Sequence, residues 1–139
     1  MRPSKKEYYL GIALAVSKRS TCLKRHYGCV IVKDDVIIAT GYNGSPRGYE
    51  NCCDVGVCKR LDKPHNSGDY SDCHSVHAEQ NAMLSASRSK MIGATLYLAG
   101  EEADGSEIYD VEPCPICSKM IMNSGISRIV TKGVRVWGL

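Results

Sequence analysis

A chain of 139 residues, 43% hydrophobic and 24% charged, has the size and balance of one soluble globular domain, expected to run from residue 1 to 139. Its formal net charge is only +3 and its basic residues are scattered, which argues against nucleic acid as a partner and leaves room for a small phosphorylated ligand. The apolar run from Tyr8 to Val16 is too short to cross a membrane and, behind Lys5 and Lys6, imitates a signal peptide only faintly, so a cytosolic protein without membrane attachment is expected.

In chain order, Leu10, Ala13, Leu14 and Ser17 recur at helical spacing and predict an amphipathic first helix over about Lys5 to Arg19. Gly28 to Lys33 and Val36 to Gly41 are β-branched runs separated by Asp34-Asp35, which predicts two antiparallel strands joined by a tight turn. Asn43-Gly44-Ser45-Pro46 then opens a polar stretch to about Ser75, too long for a structureless loop in a compact domain, so something besides apolar burial should order it.

A helix is expected from His77 to about Ser89, a strand over Ala94 to Ala99, and a second helix over Cys114 to Asn123 that stops at Gly125. The acidic segment between Ala99 and Pro113 reads as a solvated loop or hairpin, with a flap over a site at Cys114 as the alternative. Ile126 to Thr131 and Val134 to Trp137 complete the strands. Helices alternating with single strands predict an α/β domain of three α/β/α layers around a mixed five-stranded sheet.

Eight cysteines in so short a chain suggest disulfides in a secreted protein and metal ligation in a reducing compartment. His77-Ala78-Glu79 and Pro113-Cys114-Pro115-Ile116-Cys117 each lie at a predicted helix start after an irregular connection, so both should face one edge of the sheet. One His and two Cys supply the three protein ligands of a zinc site that keeps its fourth position for water. The helix starts should also lower the thiol pKa, so that Cys114 and Cys117 bind as thiolates. Two thiolates weaken the metal as a Lewis acid, and Glu79 is the candidate to take a proton from the zinc water and pass it to the ring and the departing amine. A redox pair or a structural zinc knuckle would also contain C-x-x-C, but the first leaves His77 and Glu79 unexplained and the second needs a fourth ligand.

H-x-E followed by P-C-x-x-C is the signature of zinc nucleobase deaminases. On these residues the chain resembles the cytidine deaminase superfamily. Gly41-Tyr42-Asn43-Gly44-Ser45-Pro46 together with His77-Ala78-Glu79-Gln80-Asn81-Ala82 is similar to the deoxycytidylate deaminases within it, and the likeness runs from Arg19-Ser20-Thr21-Cys22 to the strand near Ile129. The resemblance implies hydrolysis of dCMP to dUMP by a zinc-bound hydroxide, with zinc on His77, Cys114 and Cys117 and Glu79 as proton shuttle. It further implies that Asn43 bonds the sugar hydroxyl and that the backbone near Ala78 holds the base. By the same resemblance Tyr42, Asn43 and Gly44 receive a regulatory triphosphate, dCTP activating and dTTP inhibiting, with Mg2+ accompanying it, in a homo-hexamer.

Some members of that family carry a second, structural zinc with cysteines at the positions of Cys22 and Cys52. A family glutamate two residues before the catalytic His is Ser75 here, and Cys58, Cys73, His65 and His74 share the loop, so the set implied is Cys22, Cys52 and Cys73 with its completion open. Such a metal would order the long polar stretch. Deaminases of other bases share the zinc motifs, and a nucleotide sensor without turnover is a further alternative; the near-neutral charge and the Gly-Tyr-Asn-Gly-Ser-Pro segment favour a free nucleotide, and Glu79 favours catalysis.

Overall fold

The computed structural model describes residues 1–58, 73–133 and 136–138. Helix α1 (Lys5–Ser17) leads into β1 (Arg25–Lys33) and β2 (Val36–Tyr42), followed by the short α2 (Cys52–Val55), α3 (Ala78–Leu84) and α4 (Arg88–Met91), then β3 (Thr95–Glu102), α5 (Pro115–Ser124), β4 (Arg128–Val130) and β5 (Val136–Gly138). The strands form one sheet in the order β2-β1-β3-β4-β5. Only the β3/β4 pair is parallel; β1/β2, β1/β3 and β4/β5 are antiparallel, so the sheet is mixed, as the alternation of elements predicts.

Two apolar clusters lie on its opposite faces. Tyr9 and Ala13 of α1 pack with Val30, Val32, Tyr97 and Ala99, whereas Ala78, Ala82 and Met83 of α3 and Ile121 of α5 pack with Cys29, Ile31, Leu96 and Leu98. The alternation of β1 between the two sets is the period-two pattern of a strand buried on both faces. Three layers result, with α1 on one side and α3 and α5 on the other.

Helix α1 starts at Ser4, whose hydroxyl accepts from the Glu7 N–H at 3.1 Å while Glu7 reaches back. Its buried face holds Ala13 and Ser17 of the expected stripe together with Tyr9, which donates to the Asp35 carboxylate at 2.5 Å and packs on Tyr97, while Leu10 and Leu14 flank it half-buried. Asp34 and Asp35 both adopt positive φ, 51° and 62°, as a two-residue hairpin turn requires.

The single helix expected from His77 to Ser89 is two helices. The Ser85 hydroxyl bonds back to the Asn81 carbonyl, and Ser87 caps a new helix by accepting from the Lys90 N–H, so the serines end α3 and restart the chain as α4. β3 runs past Ala99 to Glu102 because β1 continues to offer partners as far as Arg25. The acidic segment folds back as a hairpin, with Gly105 at φ 90° and the Ile108 N–H bonded to the Gly100 carbonyl. The ends of the long polar stretch are tied by a bridge between Gly44 and Val76.

Candidate active site

That bridge delivers the chain directly into His77, the residue before α3, whose backbone N–H is taken by the Gln80 side chain at 3.0 Å. Cys114 stands in the same relation to α5: its Sγ accepts from the Cys117 N–H at 3.4 Å, and Pro115 follows where a missing N–H costs nothing. The two helix starts bring His77 Nδ1 to 3.5 Å from Cys114 Sγ and 3.3 Å from Cys117 Sγ, with all three ligand atoms within 4.8 Å of one another. Tetrahedral zinc with bonds of about 2.1 Å to nitrogen and 2.3 Å to sulfur places such atoms about 3.6 Å apart, so the donor set fits that ion in type and spacing. Among the described residues this is the one His/Cys/Asp/Glu group that close.

Glu79 lies in the first turn of α3 and is 5% exposed. Burial pushes its carboxyl upward, opposed by a backbone hydrogen bond, the charge of His77 and contact with Cys117. Cys117 corrects one expectation: burial, and after it the neighbouring Glu79 carboxylate, push its thiol well above its ordinary range, so the helix start does not by itself make it a thiolate. The fully buried position outweighs the helix dipole, and deprotonation must come from metal binding.

These groups open into a cleft whose empty space, counting the part continuous with solvent, is about 760 Å³. Asn43, Ala78, Tyr27, Leu98 and Glu112 share its walls with His77, Glu79 and Cys114. Asn43 is buried, its Oδ1 accepting from the Tyr27 N–H at 2.8 Å and its Nδ2 donating to the Arg25 carbonyl at 2.9 Å, so the amide is oriented by β1. Tyr42 presents its carbonyl to Asn81 of α3 at 2.8 Å. Gly41 lets α3 come this near, since a Cβ there would lie 2.4 Å from the Ala82 nitrogen and 2.6 Å from the Ala78 oxygen.

The comparison with known proteins follows from this geometry. The sequence pattern described as the cytidine and deoxycytidylate deaminase zinc-binding region matches residues 3–132. The chain belongs to that family. Its members are zinc-dependent hydrolytic deaminases. The chain is 42% identical over 134 residues to a deoxycytidylate deaminase of Saccharomyces cerevisiae, covering 94% of this chain but 38% of the yeast protein. It is 42% identical over 135 residues to that of Mycobacterium phage D29, covering 93% and 94%. Among solved structures, the dCMP deaminase of cyanophage S-TIM5 in complex with dCMP and dUMP superposes with a TM-score of 0.68 at 30% identity over 96% of this chain and 84% of that one.

Cys22, Cys52 and Cys73 are drawn together less tightly than the catalytic set. Cys22 and Cys73 border the cleft, and with Cys52, Cys58 and His74 they border a second cavity beside it, but no three of their ligand atoms reach the spacing of the His77 group. His65 lies outside the described residues. Of the segment between Ala99 and Pro113, only Glu112 borders the cleft, so its hairpin is not a flap over the site in this conformation. No motif singles out Tyr27 as a cleft residue; of Lys24, Arg25 and Arg47, the nearest basic candidates for a phosphate in the sequence, the first two border the cleft.

Proposed function

We propose that the chain hydrolyses dCMP to dUMP and ammonia. The observation that carries this reading is the meeting of His77, Cys114 and Cys117 at ligand spacing with a buried carboxyl, Glu79, that borders the same cleft; the likeness to the phage enzyme over 94% of its length supports the nucleotide. Zinc, when bound by the three ligands, polarises the attacking water. Glu79 takes a proton from that water and delivers it to N3 of the pyrimidine as the C4–O bond forms, then carries the remaining proton of that oxygen to the amine nitrogen as the C4–N bond breaks and ammonia leaves. Its buried setting, which raises its proton affinity, suits a group that must both accept and donate near neutral pH. Asn43, already oriented by β1, offers its remaining amide valences to the sugar hydroxyl, and the backbone at Ala78 lies against the base.

The finer parts of the reading are regulation by dCTP and dTTP at Tyr42, Asn43 and Gly44, a homo-hexamer, a cytosolic location and a second zinc. Supporting regulation, that segment bonds to α3 through Tyr42 and Asn81 and to the residue before His77 through Gly44 and Val76, so a triphosphate with its Mg2+ bound there would act on the metal-bearing helix start. Supporting assembly, α3 and α5 leave Leu84, Ile116 and Met122 exposed. Supporting the second zinc, burial and then the neighbouring Cys22, Cys58 and Cys73 thiols all act on Cys52.

The test is ultraviolet loss of cytosine from dCMP, CMP, deoxycytidine and dCTP side by side, with and without dCTP and dTTP as effectors. Turnover led by dCMP, raised by dCTP and lowered by dTTP, is the expected result. Ammonia release from none of the cytosine compounds by zinc-loaded protein would move the substrate to another amino-bearing base.

A further inference from the structure

Thr21 lies in the segment that joins α1 to β1, and that segment is pinned on both sides of it. The Arg19 and Ser20 N–H groups bond back to the Val16 and Ser17 carbonyls at the end of α1. The Ser20 hydroxyl accepts from the Cys22 N–H at 3.2 Å, and the Cys22 carbonyl meets His26 Nε2 at 2.9 Å. A segment closed in this way presents Thr21 at a fixed place.

From there it brackets Gly44. The Thr21 N–H donates to the Asn43 carbonyl at 3.4 Å, and Thr21 Oγ1 accepts from the Ser45 N–H at 3.3 Å. The Thr21 carbonyl is taken by the Cys53 N–H of α2 at 3.0 Å, so the hydroxyl serves Ser45 where a strand carbonyl otherwise would. On its other edge Gly44 pairs with Val76. The fit is close, since a Cβ on Gly44 would lie 2.7 Å from Thr21 Oγ1. Gly44 is not among the positive-φ glycines, so what it supplies here is room for the Thr21 hydroxyl.

We propose that Thr21 is a positioning residue for the reaction, holding Asn43 where its amide meets the sugar hydroxyl of the substrate. The inference rests on the reading of Asn43 as the sugar contact given above. The Asn43 amide is tied to Tyr27 and Arg25, and its backbone N–H donates to the Tyr27 carbonyl at 3.3 Å, but all of these bonds are to β1. β2 ends at Tyr42, so the peptide that follows Asn43 has left the ladder, and the bracket from Thr21 fixes its outer side. Without the Thr21 hydroxyl that peptide is free to turn, and the amide beside it shifts against the substrate. Hydrogen bonds weaken steeply with misalignment, so a small shift costs binding at the sugar. The 3′-hydroxyl is the only free hydroxyl on the sugar of dCMP, so the cost should fall on substrates that carry it.

The experiment measures kcat and KM for dCMP and for its 2′,3′-dideoxy analogue with wild type, Thr21→Val and Thr21→Ser, each checked for zinc content and for fold by circular dichroism. Thr21→Val keeps the shape and removes the acceptor. It should lower kcat/KM for dCMP about 10-fold, mostly through KM, the upper end for one lost hydrogen bond. For the dideoxy analogue the same change should stay within about 2-fold, because the contact it disturbs is already missing. Thr21→Ser keeps the hydroxyl and should remain within about 3-fold of wild type on dCMP. If the dideoxy analogue turns over too slowly to follow, inhibition of dCMP turnover by dUMP and by dideoxy-UMP gives the same comparison.

Equal losses on the two substrates would make Thr21 a merely structural residue and overturn the assignment. So would a Thr21→Val enzyme that matches wild type on dCMP, or a Thr21→Ser enzyme as impaired as Thr21→Val. Should Thr21→Val fail to fold, Gly44→Ala carries the same test, since its Cβ would push the Thr21 hydroxyl off the Ser45 N–H. Wild type that handles dCMP and the dideoxy analogue equally would instead remove the sugar reading of Asn43 beneath the proposal, and wild type inactive on both would remove the nucleotide reading itself.

Discussion

Glu79 is a carboxyl that the fold buries to 5% exposure beside two metal-ligand positions, and burial is the first cause of its raised proton affinity. A neutral amide of the same shape is cheaper to bury than a carboxylate, yet it cannot carry a proton. Glu79→Gln should therefore retain zinc and a thermal midpoint at or above that of wild type, while kcat drops about 10,000-fold, the upper end of what a positioned proton carrier contributes. Zinc lost from this variant would instead make Glu79 a ligand. Cys117 teaches the converse at the same scale: its position in a first helical turn suggested a ready thiolate, and its burial beside Glu79 makes it a thiol that only a cation would deprotonate.

Among the elements, α3 carries Glu79 and follows directly on His77, and what sets its height over the sheet is the absence of a side chain at Gly41. Gly41→Ala would force its Cβ into the Ala78 and Ala82 backbone, and overpacking of this kind costs about 1–3 kcal/mol. More telling is the predicted effect on chemistry. A displacement of α3 by about 1 Å should lower kcat about 100-fold in protein that remains folded by circular dichroism. Full activity in that variant would mean that α3 is free to re-seat without moving the metal ligands. The brevity of α3 fits this role: its serine-led ending at Leu84 leaves a short lever whose first turn is fixed by Gln80, Asn81 and the neighbouring β2.

For the whole molecule, the candidate metal ligands sit at two helix starts, His77 before α3 and Cys114 before α5, 37 positions apart in the chain. An ion that binds only the folded chain adds stability by mass action, so a chelator should lower the thermal midpoint, and zinc should restore it. Metal analysis of purified protein should approach two zinc per chain; a value of one would remove the site proposed on Cys22, Cys52 and Cys73.

The sequence alone carried the three candidate ligands that the fold brings together and the layer order, because ligand spacing, helix-start chemistry and period-two burial are local properties of the chain. It also carried the Asp34-Asp35 turn, where two residues tolerant of positive φ separate β-branched runs. It did not reveal the break between α3 and α4, since Ser85 and Ser87 choose between continuing and capping a helix only in their tertiary setting. Nor could it reveal that Tyr27 borders the cleft or that burial beside Glu79 raises the Cys117 thiol pKa. Those facts depend on cross-strand register and on burial, which arise between residues distant in the chain and exist only once the sheet and its helices have packed.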